Sequence, residues 1–258
     1  MLTNPESQPA ALFLFAHQDD EFGVFQQILN EQQSGRMVLC AYLTDGASPG
    51  VTPAVRNAES LRVLAALGVQ EQNVIFAGEQ LGIRDATLPE NMSAVEQCLR
   101  GILSSYAIER LYVTAWEGGH HDHDALHAVT VRLCYALGRQ AEVSQYSLYN
   151  GKNCPGPFFS VLKPLSENGC VEKLAISFKN RLRFLRYCLS YPSQRKTWIG
   201  LFPFVTMRYV FTPYQQLQGV SLDRLRFRPH AGDLYYEKRN FFTWHRMDEL
   251  VNGALAEK

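Results

Sequence analysis

Two short stretches hold most of the chain's capacity for chemistry. Ala16-His17-Gln18-Asp19-Asp20-Glu21 brings one imidazole and three carboxylates to one point. Gly118-Gly119-His120-His121-Asp122-His123-Asp124 brings three more imidazoles and two carboxylates to another. Clustered carboxylates repel and cost free energy unless a cation or a proton intervenes. A divalent metal is the simplest cation. Zinc accepts His nitrogen and Asp oxygen together, and a catalytic zinc keeps one position open for water, whose pKa it lowers to about 7. On this chemistry His17, Asp20 and His123 are the candidate ligands of zinc or another divalent ion. His17 and Asp20 lie three apart, close enough across a turn to reach one ion. Asp19 is the spare carboxylate and the candidate general base. His120 is placed to hydrogen-bond or protonate a substrate carbonyl oxygen and then the leaving nitrogen, with Asp122 fixing its tautomer. Glu21 is expected to support the following helix, since acids are favoured in a first turn. Taken singly, each cluster has a plainer reading as a polar loop and helix cap; two together read as halves of one site.

The elements around the clusters must deliver them to one place. Apolar strand-like runs at 11–16, 37–43, 73–77, 110–115 and 143–148 alternate with helix-period segments at 21–33, 54–67, 91–106 and 124–137. Such alternation predicts a parallel sheet with helices on both faces. Right-handed crossovers place every strand's C-terminal end on one edge, where such sheets bind ligands. Both clusters follow strands, and so do Thr44-Asp45-Gly46 and the loop 82–85. No G-x-G-x-x-G follows the first strand, which argues against a dinucleotide.

From about residue 150 the pattern changes. The turn-rich Asn150-Gly151-Lys152-Asn153-Cys154-Pro155-Gly156-Pro157 marks a boundary between a core, 1–150, and a smaller C-terminal α+β cap, 151–258, of the same domain. Segment 172–190 reads as an amphipathic helix with Ile176, Phe178, Leu182, Leu185 and Leu189 as its stripe. An aromatic run interleaved with Pro203 and Pro213 follows, and 228–237 reads as a turn into a strand. The formal net charge of zero is unevenly spread. Residues 1–150 hold 17 acids and 8 Arg (8 − 17 = −9), and residues 151–258 hold 17 bases and 8 acids (17 − 8 = +9). The basic part either packs beside the acidic part or faces an anionic substrate group or a membrane surface. Six widely spaced cysteines with no C-x-x-C pair suggest reduced thiols. Polar Met1–Pro9 lacks the pattern of a signal peptide. No run reaches the roughly 18 apolar residues of a membrane span, so a cytoplasmic setting is expected, with no nucleic-acid partner.

The paired motifs, with Leu43-Thr44-Asp45-Gly46, Arg56 three before Glu59, Leu67-Gly68, and Asp85 before Leu88 between them, resemble the PIG-L/LmbE-like family of zinc-dependent N-acetylglucosaminyl deacetylases. The resemblance covers roughly residues 11–150. It implies a Rossmann-like fold and a hydrolase that removes the N-acetyl group from an amino sugar or its conjugate. It also implies His17, Asp20 and His123 as metal ligands, Asp19 as base and His120 as electrophilic partner. Arg56 and Asp85 are candidate substrate contacts, and His230 is a weaker one, in a Pro-flanked turn. The family most often has Pro at the positions of Gln18 and His121. Their loss is expected to loosen the turns, with His121 on the solvent side. Trp116 is expected in the core.

Two other functions compete. A non-catalytic protein that binds a sugar or lipid head group would keep the metal as a staple and function without Asp19. A two-metal phosphoesterase would need a second carboxylate-rich ligand set, which the sequence does not show near the clusters. The basic, aromatic stretch 179–211 suits a phosphate-bearing or lipid-linked sugar, or a membrane surface; its plainer reading is a solvated face over a mixed core.

Overall fold

The structure, a computed structural model, describes residues 8–253 of the 258. Of the polar opening stretch Met1–Pro9, residues 1–7 lie outside the described residues. In chain order, β1 (Ala10–Phe15), α1 (Phe25–Gln33), β2 (Met37–Tyr42), α2 (Pro53–Ala66), β3 (Val74–Phe76), α3 (Ala77–Leu81), α4 (Met92–Ser105), β4 (Ile108–Thr114), α5 (His121–Ala136) and β5 (Val143–Tyr146) form an alternating α/β unit. Next come β6 (Tyr149–Asn150), β7 (Ser160–Val161), β8 (Val171–Ala175), α6 (Phe178–Cys188), α7 (Arg195–Phe211), β9 (Tyr214–Gly219), α8 (Tyr235–Lys238) and α9 (Trp244–Asn252). The seven-stranded sheet has the order β3-β2-β1-β4-β5-β9-β8, and β6 pairs with β7 in a separate two-stranded sheet. All pairings from β3 to β5 are parallel. Those of β9 with β5 and of β8 with β9 are antiparallel.

The central strand shows why the sheet takes helices on both faces. Every residue of β1 is buried. Side chains alternate across a strand, so Ala10, Leu12 and Leu14 enter one apolar core with α4, α5 and α9. Ala11, Phe13 and Phe15 enter the other with α1, α2, α6 and α7. A strand apolar on both sides is stable only in the middle of such a sandwich.

Three C-terminal expectations are corrected. The segment 172–190 is not one helix. Its first residues form β8, paired with β9 from Val171↔Gln218 to Ala175↔Tyr214. This short, exposed, polar outer strand satisfies its backbone on one side only, which an edge tolerates. The stripe read from 178 onward faces the wrong way for a core: Phe178, Leu182 and Leu189 are exposed, while Phe184 and Cys188 pack inward. The stretch 228–237 does not end in a strand, because its last residues open α8, where the Glu237 carboxylate accepts the Leu234 N–H. The Pro-interleaved aromatic run, to which spacing assigns no element, is helical as α7. Pro203 lies inside it, at the loss of one backbone bond.

Glycine at 119 is a spacing requirement of the site. A Cβ there would sit 2.0 Å from the Tyr149 carbonyl oxygen, so β6 touches bare backbone just before His120. Gly101, in α4, has open space around the same position. Gly119→Ala is expected to lower stability by about 2 kcal/mol or more through backbone displacement, whereas Gly101→Ala should raise it by about 0.5–1 kcal/mol. Thermal melts of the two variants check this; a neutral Gly119→Ala would contradict the close approach.

Candidate metal centre

The chain's direction of travel across the sheet reverses between β1 and β4. The crevice beyond their C-terminal ends is therefore the switch point where open α/β sheets bind ligands. The first cluster leaves β1 there, and the second bridges β4 to α5. Helix α5 begins at His121, three residues before the expected start. The reason is its cap: the His120 imidazole accepts the Asp122 N–H through Nδ1. The part of the second motif from His121 to Asp124 thus falls in one helical turn, with Asp122 and His123 aimed back at β1.

His17 Nδ1 lies 3.2 Å from His123 Nε2. That Nε2 lies 3.1 Å from Asp20 Oδ1, and Asp20 Oδ2 is 3.8 Å from His17 Nδ1. Ligands about 2.0–2.1 Å from a tetrahedral zinc stand roughly 3.3 Å apart, so the donor groups of these three residues come near the spacing of one face of such a site. They form one of two groups of metal-binding type among the described residues. All three residues are buried. Two facing imidazole nitrogens and a carboxylate need a shared cation or proton, and the donor set fits a divalent ion.

His17 is the pivot. Its Nε2 is 2.9 Å from Asp122 Oδ2 and 3.2 Å from Asp85 Oδ1. Nε2 therefore keeps its proton and Nδ1 is the nitrogen that faces the site, where a metal would take the place of its proton, the usual way a carboxylate orients a metal-binding imidazole. Burial lowers the pKa of His17, but Asp85 and Asp122 outweigh it and carry the value well above the ordinary one. Asp122 was expected to fix the His120 tautomer; it does so through its backbone N–H, 3.2 Å from His120 Nδ1, and not through its carboxylate, which serves His17 and lies 4.0 Å from that nitrogen. Its oxygens also accept the Ala86 and Leu88 N–H groups, at 2.7 and 3.0 Å. A second His/Asp group, His17, Asp85, His120 and Asp122, was not apparent from the sequence. It shares His17 with the first group, and its Asp122 oxygens already have partners, so it acts here as the support of His17.

Asp19 occupies a left-handed conformation, φ 108°, which costs a non-glycine residue about 1–3 kcal/mol. Glu21 stabilises that turn rather than the following helix alone. Its carboxylate is fully buried and accepts the Asp19 N–H at 2.7 Å and the Tyr42 hydroxyl. The two Asp19 oxygens are separately held, Oδ1 at 3.4 Å from Arg56 and Oδ2 by the indole N–H of Trp198 at 3.2 Å. Burial pushes the Asp19 carboxyl up to about 7, Arg56 opposing and Asp20 and Glu21 adding to the rise. Burial, with His17 beside it, drives the His120 pKa well below its ordinary value. His120 is therefore neutral, and because Nδ1 accepts a backbone N–H, its proton sits on Nε2.

His17, Asp19, Asp20, His120 and His123 line one cavity of about 520 Å³. Arg56 and Asp85 line it too, 3.6 Å apart. Arg56 also donates to the Gly46 and Gln18 carbonyls. His230 is not among the residues lining the cavity; it is buried, with Nδ1 at 2.8 Å from the Ala231 oxygen. Trp116 is in the core, donating to the Phe227 carbonyl at 3.0 Å. His121 is not on the solvent side: it is buried, stacked on Phe242 with centroids 4.8 Å apart, and its Nε2 is 3.1 Å from the Ala86 oxygen. Gln18 is likewise buried and donates to Asn57 at 2.7 Å. The two residues standing where proline is usual tie their turns down with side-chain bonds instead. Sequence reasoning missed Trp198 and Tyr149, the latter edge-on to His123 at 5.8 Å. Trp198 is 179 positions from Asp19, and no local spacing marks it.

Residues 12–134 match the family model described as PIG-L, GlcNAc-PI de-N-acetylase. Over that span the chain is PIG-L-like. Both His/Asp motifs fall inside the match, and β8, β9, α6 and α7 fall outside it. No curated protein sequence matches the chain. Solved structures agree with the fold. A deacetylase of the teicoplanin biosynthesis pathway superposes with a TM-score of 0.63 at 17% identity, covering 82% of this chain and 98% of its own. The N,N'-diacetylchitobiose deacetylase of Pyrococcus horikoshii does so at 0.55 and 16%, covering 86% of each chain. The 4-carboxy-2-hydroxymuconate hydratase GalB of Pseudomonas putida KT2440 gives 0.50 and 13%, covering 83% of this chain and 96% of its own. At these identities the likeness is one of fold.

Two measurements test the PIG-L-like centre. Asp20→Ala and His123→Ala are expected to lose tight divalent-metal binding, and Asp122→Asn to weaken it about 10–100-fold. His230→Ala should bind as the wild type does; calorimetry and elemental analysis read this out. The second concerns Asp124, whose Oδ1 accepts the Glu117 and Gly118 N–H groups at 3.2 and 3.1 Å. Burial, with Glu117 beside it, pushes this carboxyl up to about 8. The folded state therefore holds a proton that the unfolded chain releases near its ordinary value. The resulting stability is present in full below that value and falls as pH rises toward 8, by about 1.4 kcal/mol per pH unit. Asp124→Asn should melt progressively higher than the wild type between pH 5 and about 8. A difference independent of pH would contradict a protonated Asp124.

Proposed function

We propose that the chain is a divalent-metal hydrolase, zinc being the metal its donor set suits best, that removes the N-acetyl group from an N-acetylated amino sugar or its conjugate. One observation carries the reading. In a single cavity, the His17–Asp20–His123 face is joined by a buried carboxylate held near neutrality, Asp19, and by a neutral imidazole with its proton on Nε2, His120. The deacetylases among the structural neighbours and the metal-dependence of the family's deacetylases support it. The hydratase neighbour shows that the fold alone would not decide.

The reaction adds water across an amide and breaks the C–N bond, giving a carboxylate and an amine. A bound divalent ion supplies Lewis acidity, polarising the acyl oxygen and lowering the pKa of water. The chain supplies the rest. Asp19 takes the proton of the attacking water and returns it to the departing nitrogen, a role suited to a carboxyl near 7, and a cation beside it would draw that value lower. His120 directs Nε2–H at the oxygen where negative charge develops, and being neutral it gains most as that charge appears. Arg56 and Asp85 on the cavity wall offer a donor and an acceptor for sugar hydroxyls. Lys196 and Arg239 at the same cavity suit a phosphate on a conjugated sugar.

Asp19→Asn is expected to keep metal binding but lower kcat for acetate release from N-acetylglucosamine conjugates by about 10²–10⁴-fold, with little change in KM. Acetate release unchanged in this variant would end the hydrolase reading and favour a binding protein stapled by its metal.

A further inference from the structure

Helices α6 and α7 pack as an antiparallel pair. Arg181, in the first turn of α6, donates to the Tyr209 and Val210 carbonyls at the end of α7, at 2.9 and 3.3 Å. The inner faces are well used: Phe184, Cys188, Trp198, Leu201, Val205 and Tyr209 are buried in the core. The outer faces carry a second apolar set. Ile199 is 70% exposed, Phe211 77%, Phe178 67% and Leu189 64%, with Met207, Val210 and Leu182 also exposed. On α7, Ile199, Met207, Val210 and Phe211, with the exposed Pro203 between them, fall on one helix face. A helix apolar all round belongs inside a core or against an apolar phase, and α7 has a core on one side only. So many large apolar side chains on one helix pair mark an interaction surface rather than scattered exposure.

The charge around this face says what covers it. From Lys173 to Leu222 the chain has eight Lys and Arg and no Asp or Glu over 50 residues. Lys179, Arg186, Arg195 and Lys196 are exposed on these two helices. A second copy on the face would bring like charges together with no acid to pair them. An anionic lipid surface satisfies both features, taking the apolar side chains below the head groups and the bases among them. Neither helix is long and apolar enough to span a membrane, and no other helix among the described residues is. The contact would lie in the plane of the interface.

We propose that the outer face of α6 and α7 docks the protein peripherally on anionic membranes. The same helix lines the catalytic cavity through Lys196, Thr197, Gly200 and Leu201, so docking sets the cavity beside the lipid surface. The proposal stands apart from the hydrolase reading and is tested without activity.

The test is flotation of the full chain with vesicles of phosphatidylcholine alone and with about 30% phosphatidylglycerol, at low salt and at about 0.5 M NaCl. The wild type is expected to float with the anionic vesicles only, and the retention to fall with salt. Ile199→Glu with Phe211→Glu should abolish it. Lys179→Glu with Arg186→Glu should weaken it about fivefold per charge removed, and more for reversal. Both pairs occupy exposed positions, and the second probes the same face through charge if the first perturbs folding; melting curves confirm the fold of each. Failure to float with anionic vesicles, equal retention on neutral ones, or unchanged flotation of both variant pairs overturns the proposal. So does sedimentation showing a dimer that Ile199→Glu with Phe211→Glu dissolves, which would assign the face to a second copy.

Discussion

Everything at the sheet edge depends on how one imidazole divides its two nitrogens. Nε2 of His17 lies between the Asp122 and Asp85 carboxylates, and Nδ1 faces His123 and Asp20. A neutral ring has one proton and one lone pair. With two acids behind it, the ring keeps the Nε2 proton, and a metal at the front would displace the other and take the Nδ1 lone pair. The front then becomes a metal-binding face. Acids that would otherwise repel one another are separated by a ring that is a donor to one pair and a ligand partner to the other. Asp122 can do this because helix α5 starts early enough to place it in the first turn, where the Ala86 and Leu88 N–H groups also stabilise its negative charge.

A second constraint is conformational. Asp19 is held in a left-handed turn that its own backbone disfavours. The cost is met by bonds from three directions: Glu21 beneath the backbone, Arg56 from α2 on one carboxylate oxygen, and Trp198 from α7 on the other. An exposed turn would relax. This one cannot, since Glu21 is buried beneath Tyr42, and Trp198 is packed between Phe22 and Tyr191. Strain of this kind persists only where its surroundings over-determine it, and here they fix the orientation of the carboxylate that the reaction would use.

The sequence was most legible where chemistry and period coincide. An apolar run ending in His-x-Asp-Asp-Glu identifies both a central strand and the edge it feeds, and the five parallel strands appear within a few residues of their expected bounds. The pairing of His17, Asp20 and His123 followed from donor chemistry, and the structure brings these atoms within 4 Å. What failed was long-range. Asp122 was assigned to its sequence neighbour His120, which it meets only through its backbone N–H; its carboxylate bonds what the fold brings opposite, His17. His121 was placed in solvent because its motif was already complete; Phe242, 121 positions later, covers it. The 172–190 segment has a helical stripe and yet begins as a strand, because an open edge of β9 needed a partner. Tertiary pairing overrides local period in short segments of this kind.

The uneven charge of the chain acquires a structural meaning at the cavity. The acid-rich part supplies the candidate ligands and the candidate base, and the basic part supplies a wall: Lys196 and Arg239 line the same cavity as Asp19 and Asp20. The two parts are joined at the chemistry itself, by the Trp198 indole on Asp19. The region matching the family model ends at residue 134, so the matched span contains the reactive groups but lacks one of the bonds that orients them. A burial-raised carboxyl such as Asp19 owes its value to being covered, and α7 is part of the cover. The Asp19 carboxyl and the helix that covers it therefore belong together, although only the first is written as a motif.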